Sequence, residues 1–436
     1  MNAPGERQEH FGSVPIQAGP EKSASKHQEQ PTYRLLLVCT HPVQYASPGL
    51  RLMAAHPRLD IHVAYCSLQG AEAVVDNEFG HEVKWDLPLL DGYQWTHVRN
   101  RAPRPGLGHF FGLVNPGLWK IVRDGRFDAV LLYTGYRYAS FWIALLAAKL
   151  SGTAVFFGTD ASSIQPRGRS RWKVLVKPLL LSRIYRLADG KWAASSAGKE
   201  YLESLAVPEE QIEIIPLVVD NDWWTARAEE VDRPAVRRSW GIPETAPVVL
   251  FCAKLQPWKR PLDLLQAFAK CGLREAHLAF AGSGPLDGAL ASEAKQLGIS
   301  DRVHFLGFQN QTQLPAVYRS ADLFVLPSEY DPCPAVVCEA MLCGLPVILS
   351  DEIRGRFGLV ERGRTGFIYP CGHVEELSHV ISQAMSDPAR LNAMGAAARQ
   401  KMKTCSPQTN TCDLIRLLDR IFRMRRASSS AAGADR

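Results

Sequence analysis

Short uninterrupted apolar runs punctuate this chain, and they fall into two series. The first opens with Leu35-Leu36-Leu37-Val38-Cys39, closed by Thr40-His41-Pro42, and continues with IHVAYC (61–66), DAVLLY (128–133) and TAVFFGTD (153–160). A continuous apolar run suits a strand covered on both faces, as in a parallel sheet. Helix-like stretches lie between the runs, among them FWIALLAAKL (141–150), which ends at Ser151-Gly152. The second series starts near residue 246, with VVLFC (248–252), HLAFAG (277–282), VHFLGF (303–308), DLFVLPS (322–328) and PVILSD (346–351). Helical PLDLLQAFAKCGL (261–273) follows its first strand. Alternating β and α elements predict two doubly wound α/β halves in one chain. Ligands of such sheets bind at the carboxyl ends of strands, so two halves offer a cleft between two sets of strand ends.

The pattern also sets boundaries. Residues 1–32 are polar and read as a disordered tail; 33–222 form a first Rossmann-like domain and 223–245, with Trp223, Trp224 and Pro234, an interdomain segment. A second Rossmann-like domain spans 246–404. A helix at 405–426 closes the chain, with Leu414, Leu417, Leu418, Ile421 and Phe422 on one face, before a disordered tail at 427–436.

Composition narrows the class. The 436 residues, 46% hydrophobic and 22% charged, are ordinary for a globular protein with a sizeable core. Fifty Lys and Arg against 44 Asp and Glu leave +6, too mild a charge to argue for nucleic acid. Most of the ten cysteines sit in apolar runs, where free cysteine acts as a small hydrophobe. The series Cys333, Cys338, Cys343 lacks zinc-ligand spacing, so no metal site is predicted, and a reducing cytosol is expected. The amino-terminal stretch has no signal-peptide core and no run reaches the length of a membrane-spanning helix. A cytoplasmic protein is expected, soluble or peripheral on the inner face of the cytoplasmic membrane.

Candidate chemistry concentrates at 322–351, DLFVLPSEYDPCPAVVCEAMLCGLPVILSD. A strand ends at Pro327-Ser328, Pro334 suits the first helical position, and Gly344 can close the helix. Asp331 then precedes a helix N-terminus and Glu339 lies inside the helix. Facing a cleft, the two acids could accept hydrogen bonds from sugar or ribose hydroxyls; otherwise Asp331 is a cap and Glu339 is solvated.

This stretch resembles the acidic signature of retaining GT-B glycosyltransferases of family 4, two glutamates seven residues apart. Asp331 falls on the first and Glu339 on the second, and EAMLCGLPVILSD resembles the family's Glu-Ala-Met-Ala-x-Gly-x-Pro-Val run. CAKLQPWKRPLDLLQAF (252–268) resembles the segment carrying an Arg and a Lys for the donor diphosphate, with Lys254 and Lys259 at those positions. AGSGP (281–285), HFLGF (304–308) and GRTGFIYP (363–370) match further landmarks in order, so the likeness covers about 246–385. The first half matches more loosely, and THPVQYASPG (40–49) replaces a glycine pair after the first strand.

The resemblance implies two Rossmann-like domains facing across a cleft, with the last helix packed back on the first domain. It implies sugar transfer from a nucleoside diphosphate sugar to a hydroxyl of a glycan or lipid-linked saccharide. The anomeric configuration would be retained, with neither metal nor further cofactor. Lys254 and Lys259 would stabilise the diphosphate, whose charge grows as the glycosidic bond breaks. Glu339 would bind the ribose and Asp331 the donor sugar, with Glu329 a substitute for the shorter Asp331. Ala335 and Val336, at the helix start, would also meet the donor; Pro334 stands where the family often has glycine and offers no N–H. Gly282 and Gly284 either appose their amides to phosphate or simply permit a tight strand–helix turn. Asp220-Asn221-Asp222 is read as a turn and helix cap rather than a magnesium site.

On the acceptor side, His41 and Asp160 stand at strand ends where either could position a hydroxyl, as could Tyr136 and Arg137. The stretch 161–188 contains no acid and mixes bases, from Arg167 to Arg186, with apolar residues. That mixture at 167–186 suits an anionic membrane surface, or equally a core helix with a solvated basic face. Rival functions are a GT-B epimerase or phosphorylase and a non-catalytic nucleotide-sugar-binding protein. A nicotinamide dehydrogenase finds no GxGxxG after Leu35–Cys39.

Overall fold

The computed structural model describes residues 31–76, 81–161, 171–332, 334–353 and 358–434. The expected tail up to residue 30, and Arg167 and Arg169 of the basic stretch, lie outside the described residues. The first lobe opens with β1 (Tyr33–Cys39), α1 (Ser47–Ala55), β2 (Leu59–Tyr65), the antiparallel pair β3 (Val74–Asp76) and β4 (His81–Val83), and β5 (Gln94–His97). It continues with α2 (Gly117–Asp124), β6 (Ala129–Leu132), α3 (Ala139–Leu150), β7 (Ala154–Thr159), α4 (Arg171–Arg186), β8 (Gly190–Ala193), α5 (Ser196–Ser204) and β9 (Ile212–Ile214). Seven of these strands form one parallel sheet, in the order β5-β2-β1-β6-β7-β8-β9. Leu35, Leu36, Leu37 and Val38 are all fully buried because β1 lies mid-sheet with cover on both faces. Each such side chain contributes about 1.5–3 kcal/mol of burial.

The second lobe begins with α6 (Asn221–Glu229) and α7 (Arg233–Ser239), then β10 (Val248–Cys252), α8 (Pro261–Lys270), β11 (His277–Ala281), α9 (Asp287–Gln296), β12 (Val303–Gly307) and α10 (Leu314–Arg319). It ends with β13 (Leu323–Leu326), α11 (Ala335–Leu342), β14 (Val347–Ser350), β15 (Gly366–Tyr369), α12 (Val374–Met385) and α13 (Pro388–Met402). Its parallel sheet has the order β12-β11-β10-β13-β14-β15. Both lobes belong to one compact unit, residues 32–436.

Two boundary expectations change. Residues 223–245 are not a bare connector. Trp224 is buried against Tyr318, ring centroids 5.8 Å apart, and Arg237 is buried with its guanidinium on Asp322 at 2.7 Å and on the Ala246 carbonyl at 2.9 Å. An apolar ring and a paired charge make this segment part of the second lobe's core. At the other end, α14 (Pro407–Ala434) runs eight residues past Arg426. The Ala- and Ser-rich tail contains no proline there, and Ser428, Ser429 and Ser430 turn their hydroxyls back onto carbonyls one turn earlier.

This last helix crosses to the first lobe. Leu414, Leu417, Leu418 and Ile421 join Leu35, Leu37 and Phe156 in one buried cluster, and Phe422 stacks on Tyr33. Asp419 accepts from Tyr33 Oη at 2.6 Å and from both terminal nitrogens of Arg58 at 3.1 and 2.6 Å. Where the chain passes between lobes, Asn221 Nδ2 donates to the Met402 and Cys405 carbonyls, and Asn410 Nδ2 to the Pro216 carbonyl. A second contact lies across the cleft mouth. Asn310 Nδ2 donates to the Lys84 carbonyl at 2.8 Å, Thr312 pairs with Asp86, and Trp85 packs on Phe308.

Candidate active site at the strand ends of the second lobe

The loops leaving β10, β11, β13 and β15 converge, because in a parallel sheet every strand delivers its carboxyl end to the same edge. From the β10 loop come half-buried Lys254 and, on a single 3₁₀ turn at Pro257–Lys259, Lys259. From the β13 loop come Ser328, Glu329, Tyr330 and Asp331. The Glu329 amide donates to the Trp258 carbonyl at 2.9 Å, which pins the two loops together. Lys259 Nζ then meets the Asp331 carboxylate directly, with side chains 17% and 12% exposed. At so little exposure the pair is worth more than a surface salt bridge, because losing either partner strands a buried charge.

Arg260, which the sequence reading passed over, completes the cluster. Its φ of 51° and ψ of 44° place it in the left-handed region. For a residue with a Cβ this costs about 1–2 kcal/mol. Its Nε bonds Asp263 at 2.8 Å and its guanidinium reaches Glu329 Oε2 at 3.3 Å. The available sequence signal was its place between Lys259 and Pro261, which opens α8; the left-handed turn itself runs against the extended preference of a residue before proline.

Glu339 stands apart from this cluster. It lies in α11, 2% exposed, and accepts from Tyr318 Oη at 2.8 Å. Burial raises its carboxyl to about 7, with the tyrosine hydroxyl pulling the other way. The solvated reading of Glu339 is therefore set aside. Tyr318 is fully buried, so its hydroxyl orients the carboxylate; nothing in the local spacing marked it. Glu339 also lines a cavity of about 130 Å³ between the lobes, with Tyr45 and Arg51 from the first lobe, Asp220 and Trp223 beyond β9, and Gln311.

The glycines do local work. A Cβ on Gly282 would lie 2.1 Å from the Ala253 carbonyl, and one on Gly284 2.7 Å from that of Leu255, so both permit the β10 loop to lie against the β11 turn. Their amides are engaged within the protein, Gly282 N on the Gly307 carbonyl and Gly284 N on Asp287 Oδ1. Ala335 and Val336 form the first turn of α11 behind the extended Pro334. Asp220 caps α6 by accepting from the Trp223 amide at 3.1 Å.

In the first lobe, His41 follows β1 with Nδ1 buried and without a partner among the described residues, and burial lowers its pKa, favouring neutral imidazole. Thr134, two residues beyond β6, is likewise buried with an unpartnered hydroxyl. Asp160 is exposed just after β7. Burial raises the Tyr136 pKa, and the Asp160 charge adds to it. β6 separates β1 from β7, so His41 and Asp160 share the strand-end edge without forming a pair.

Two facing parallel-sheet lobes, with a recrossing terminal helix and charged loops at the second lobe's strand ends, define the GT-B architecture. Solved structures agree on the fold: Anabaena HepE in complex with UDP (TM-score 0.67, 19% identity, covering 89% of this chain and 100% of that one) and a glycosyltransferase from Rickettsia africae (TM-score 0.69, 15% identity, 90% and 99%). The family model "Glycosyl transferases group 1" matches residues 232–401, and "Glycosyl transferase 4-like domain" matches 50–218. The chain belongs to this glycosyltransferase family, of the GT-B, family 4 type. A curated relative, D-inositol 3-phosphate glycosyltransferase of Rhodococcus opacus, is 35% identical over 176 residues, 38% of this chain. The match spans 39% of that relative's length, and 43% of the namesake from Mycolicibacterium smegmatis at 34% identity.

Proposed function

We propose that this protein transfers a sugar from a nucleoside diphosphate sugar to a hydroxyl of a glycan or lipid-linked saccharide, with retention and without a metal. The observation that carries this reading is the meeting of Lys259, Arg260, Glu329 and Asp331 at the strand ends of a group 1 lobe. Lys254 and Lys259 hold the diphosphate and stabilise the charge that builds as the glycosidic bond breaks. A diphosphate draws Lys259 away from Asp331 and frees that carboxylate for the sugar hydroxyls. Glu339, held by Tyr318, accepts from the ribose. His41, held neutral by burial, and Asp160 serve the acceptor hydroxyl from the opposite lobe. Closure of the lobes excludes water and suppresses donor hydrolysis.

The acceptor reading draws on the basic helix α4. Lys177, Arg183 and Arg186 accompany Leu179 and Leu180, which are 60% and 56% exposed, a mixture that suits an anionic membrane bearing lipid-linked acceptors. Among the described residues no helix is long and apolar enough to cross a membrane.

The test is a thermal-shift panel of nucleoside diphosphates and their sugars, beginning with UDP and UDP-glucose, which the Anabaena neighbour holds. Turnover of the best donor against saccharide acceptors, with and without chelator, follows. A panel in which no nucleotide raises the melting temperature refutes the reading. Donor binding with no transfer to any acceptor leaves a nucleotide-sugar-binding protein instead.

A further inference from the structure

Glycine accepts φ of 51° without penalty, yet position 260 carries arginine, directly before Pro261, where backbone is pressed toward the extended region. Strain of this kind persists where the side chain has a task that the surroundings enforce. The surroundings of Arg260 do enforce one geometry. Nε is fixed on Asp263 at 2.8 Å, and the guanidinium lies over Gly372, where a Cβ would come within 3.2 Å of one terminal nitrogen. Gly372 itself has φ of 81°. The remaining arm reaches one carboxylate oxygen of Glu329 at 3.3 Å.

Glu329 needs such a guide. Its backbone is fixed by the Trp258 carbonyl, but its side chain is 51% exposed, and Arg260 is its ion-pair partner among the described residues. Asp331, the other acid of this loop, is already neutralised by Lys259 and only 12% exposed. The loop therefore presents one tethered acid and one projecting acid at the place where the donor's sugar must lie. A carboxylate held by one oxygen keeps the other free to accept from a sugar hydroxyl, and holding it in place beforehand lowers the ordering cost of binding.

We propose that Arg260 is a positioning residue that aims Glu329 at a hydroxyl of the donor sugar, making this pair the reader of the sugar rather than of the nucleotide. The inference rests on the donor reading above. It leaves the diphosphate to the lysines and adds Arg260–Glu329 to Asp331 as a second, separable part of the sugar increment.

Calorimetric titration with UDP and UDP-glucose, and with GDP and GDP-mannose, tests it on the full chain and on Arg260→Gly, Glu329→Gln and the double variant. In Arg260→Gly the dissociation constant of the better nucleotide should stay within about twofold, while that of its sugar conjugate rises about tenfold. Glu329→Gln should show the same split, and the double variant should be no worse than either single. Glycine relieves the backbone but takes from Asp263 its guanidinium partner, and with the two effects opposed Arg260→Gly should melt close to the parent. Equal weakening of nucleotide and conjugate, no weakening, or a loss in Arg260→Gly that Glu329→Gln does not share would each overturn the positioning role. A parent that binds neither nucleotide nor conjugate brings down the donor reading first, a result distinct from all of these.

Discussion

Replacing Glu339 by glutamine keeps an acceptor for the Tyr318 hydroxyl and the shape of the site but removes a titration. The carboxyl rises from its ordinary 4.5 to about 7 because it is buried in α11. At 1.36 kcal/mol per pH unit, that shift favours the neutral form by roughly 3 kcal/mol. A group whose folded pKa lies above its unfolded one lends stability that is fully present below the unfolded value and lost as pH rises through the folded value. Parent and Glu339→Gln should therefore be about equally stable near pH 4. The gap should open between pH 4.5 and 7, and above pH 7 the variant should lead by roughly 3 kcal/mol. Urea unfolding followed by tryptophan fluorescence reads this, with Trp224 beside Tyr318 as a local reporter. Other titrating groups cancel in the difference. A gap that stays constant from pH 4 to 8, or closes as pH rises, refutes the argument. Affinity for UDP offers a second readout: relative to the variant, binding by the parent should weaken by up to about tenfold for each pH unit below 7, because ribose hydroxyls need an ionised acceptor.

Further outcomes follow from individual contacts. Lys259→Ala strands the Asp331 carboxylate at a cost of about 3 kcal/mol in thermal unfolding, and adding Asp331→Asn should restore most of the stability but not UDP binding. Asp419→Ala removes the acceptor of Tyr33 and Arg58 and should cost about 2 kcal/mol, with limited proteolysis releasing the terminal helix first. Asp86→Ala breaks an exposed contact with Thr312; stability should change by less than about 1 kcal/mol, while amide exchange speeds up in both 84–89 and 308–312.

Legibility of the fold followed burial. β1, β6, β7, β10, β11, β13 and β14 are covered on both faces, so they appear as apolar runs and were readable. β5 is QWTH at a sheet edge with all four residues exposed, and β8 is GKWA, whose buried Lys191 hides the pattern. Lys191 tolerates that place because its ammonium bonds the Ala188 carbonyl and Gln211. In the site, Lys259 and Asp331 were legible through the family resemblance of the segments that carry them. Tyr318, Gln311 and Thr134 did not, because their significance comes from which loop faces them across the fold. Arg260 lay in plain view beside Lys259, but its left-handed backbone is a property of the turn and not of the letter.

The recrossing of α14 has a consequence for biogenesis. Leu414 to Ile421 complete the buried face under β1, yet they are synthesised long after it: Asp419 follows its partner Tyr33 by 386 residues. The first lobe must wait with an uncovered apolar sheet until this helix has been made, so nascent chains stalled before residue 407 should be the species that chaperones hold.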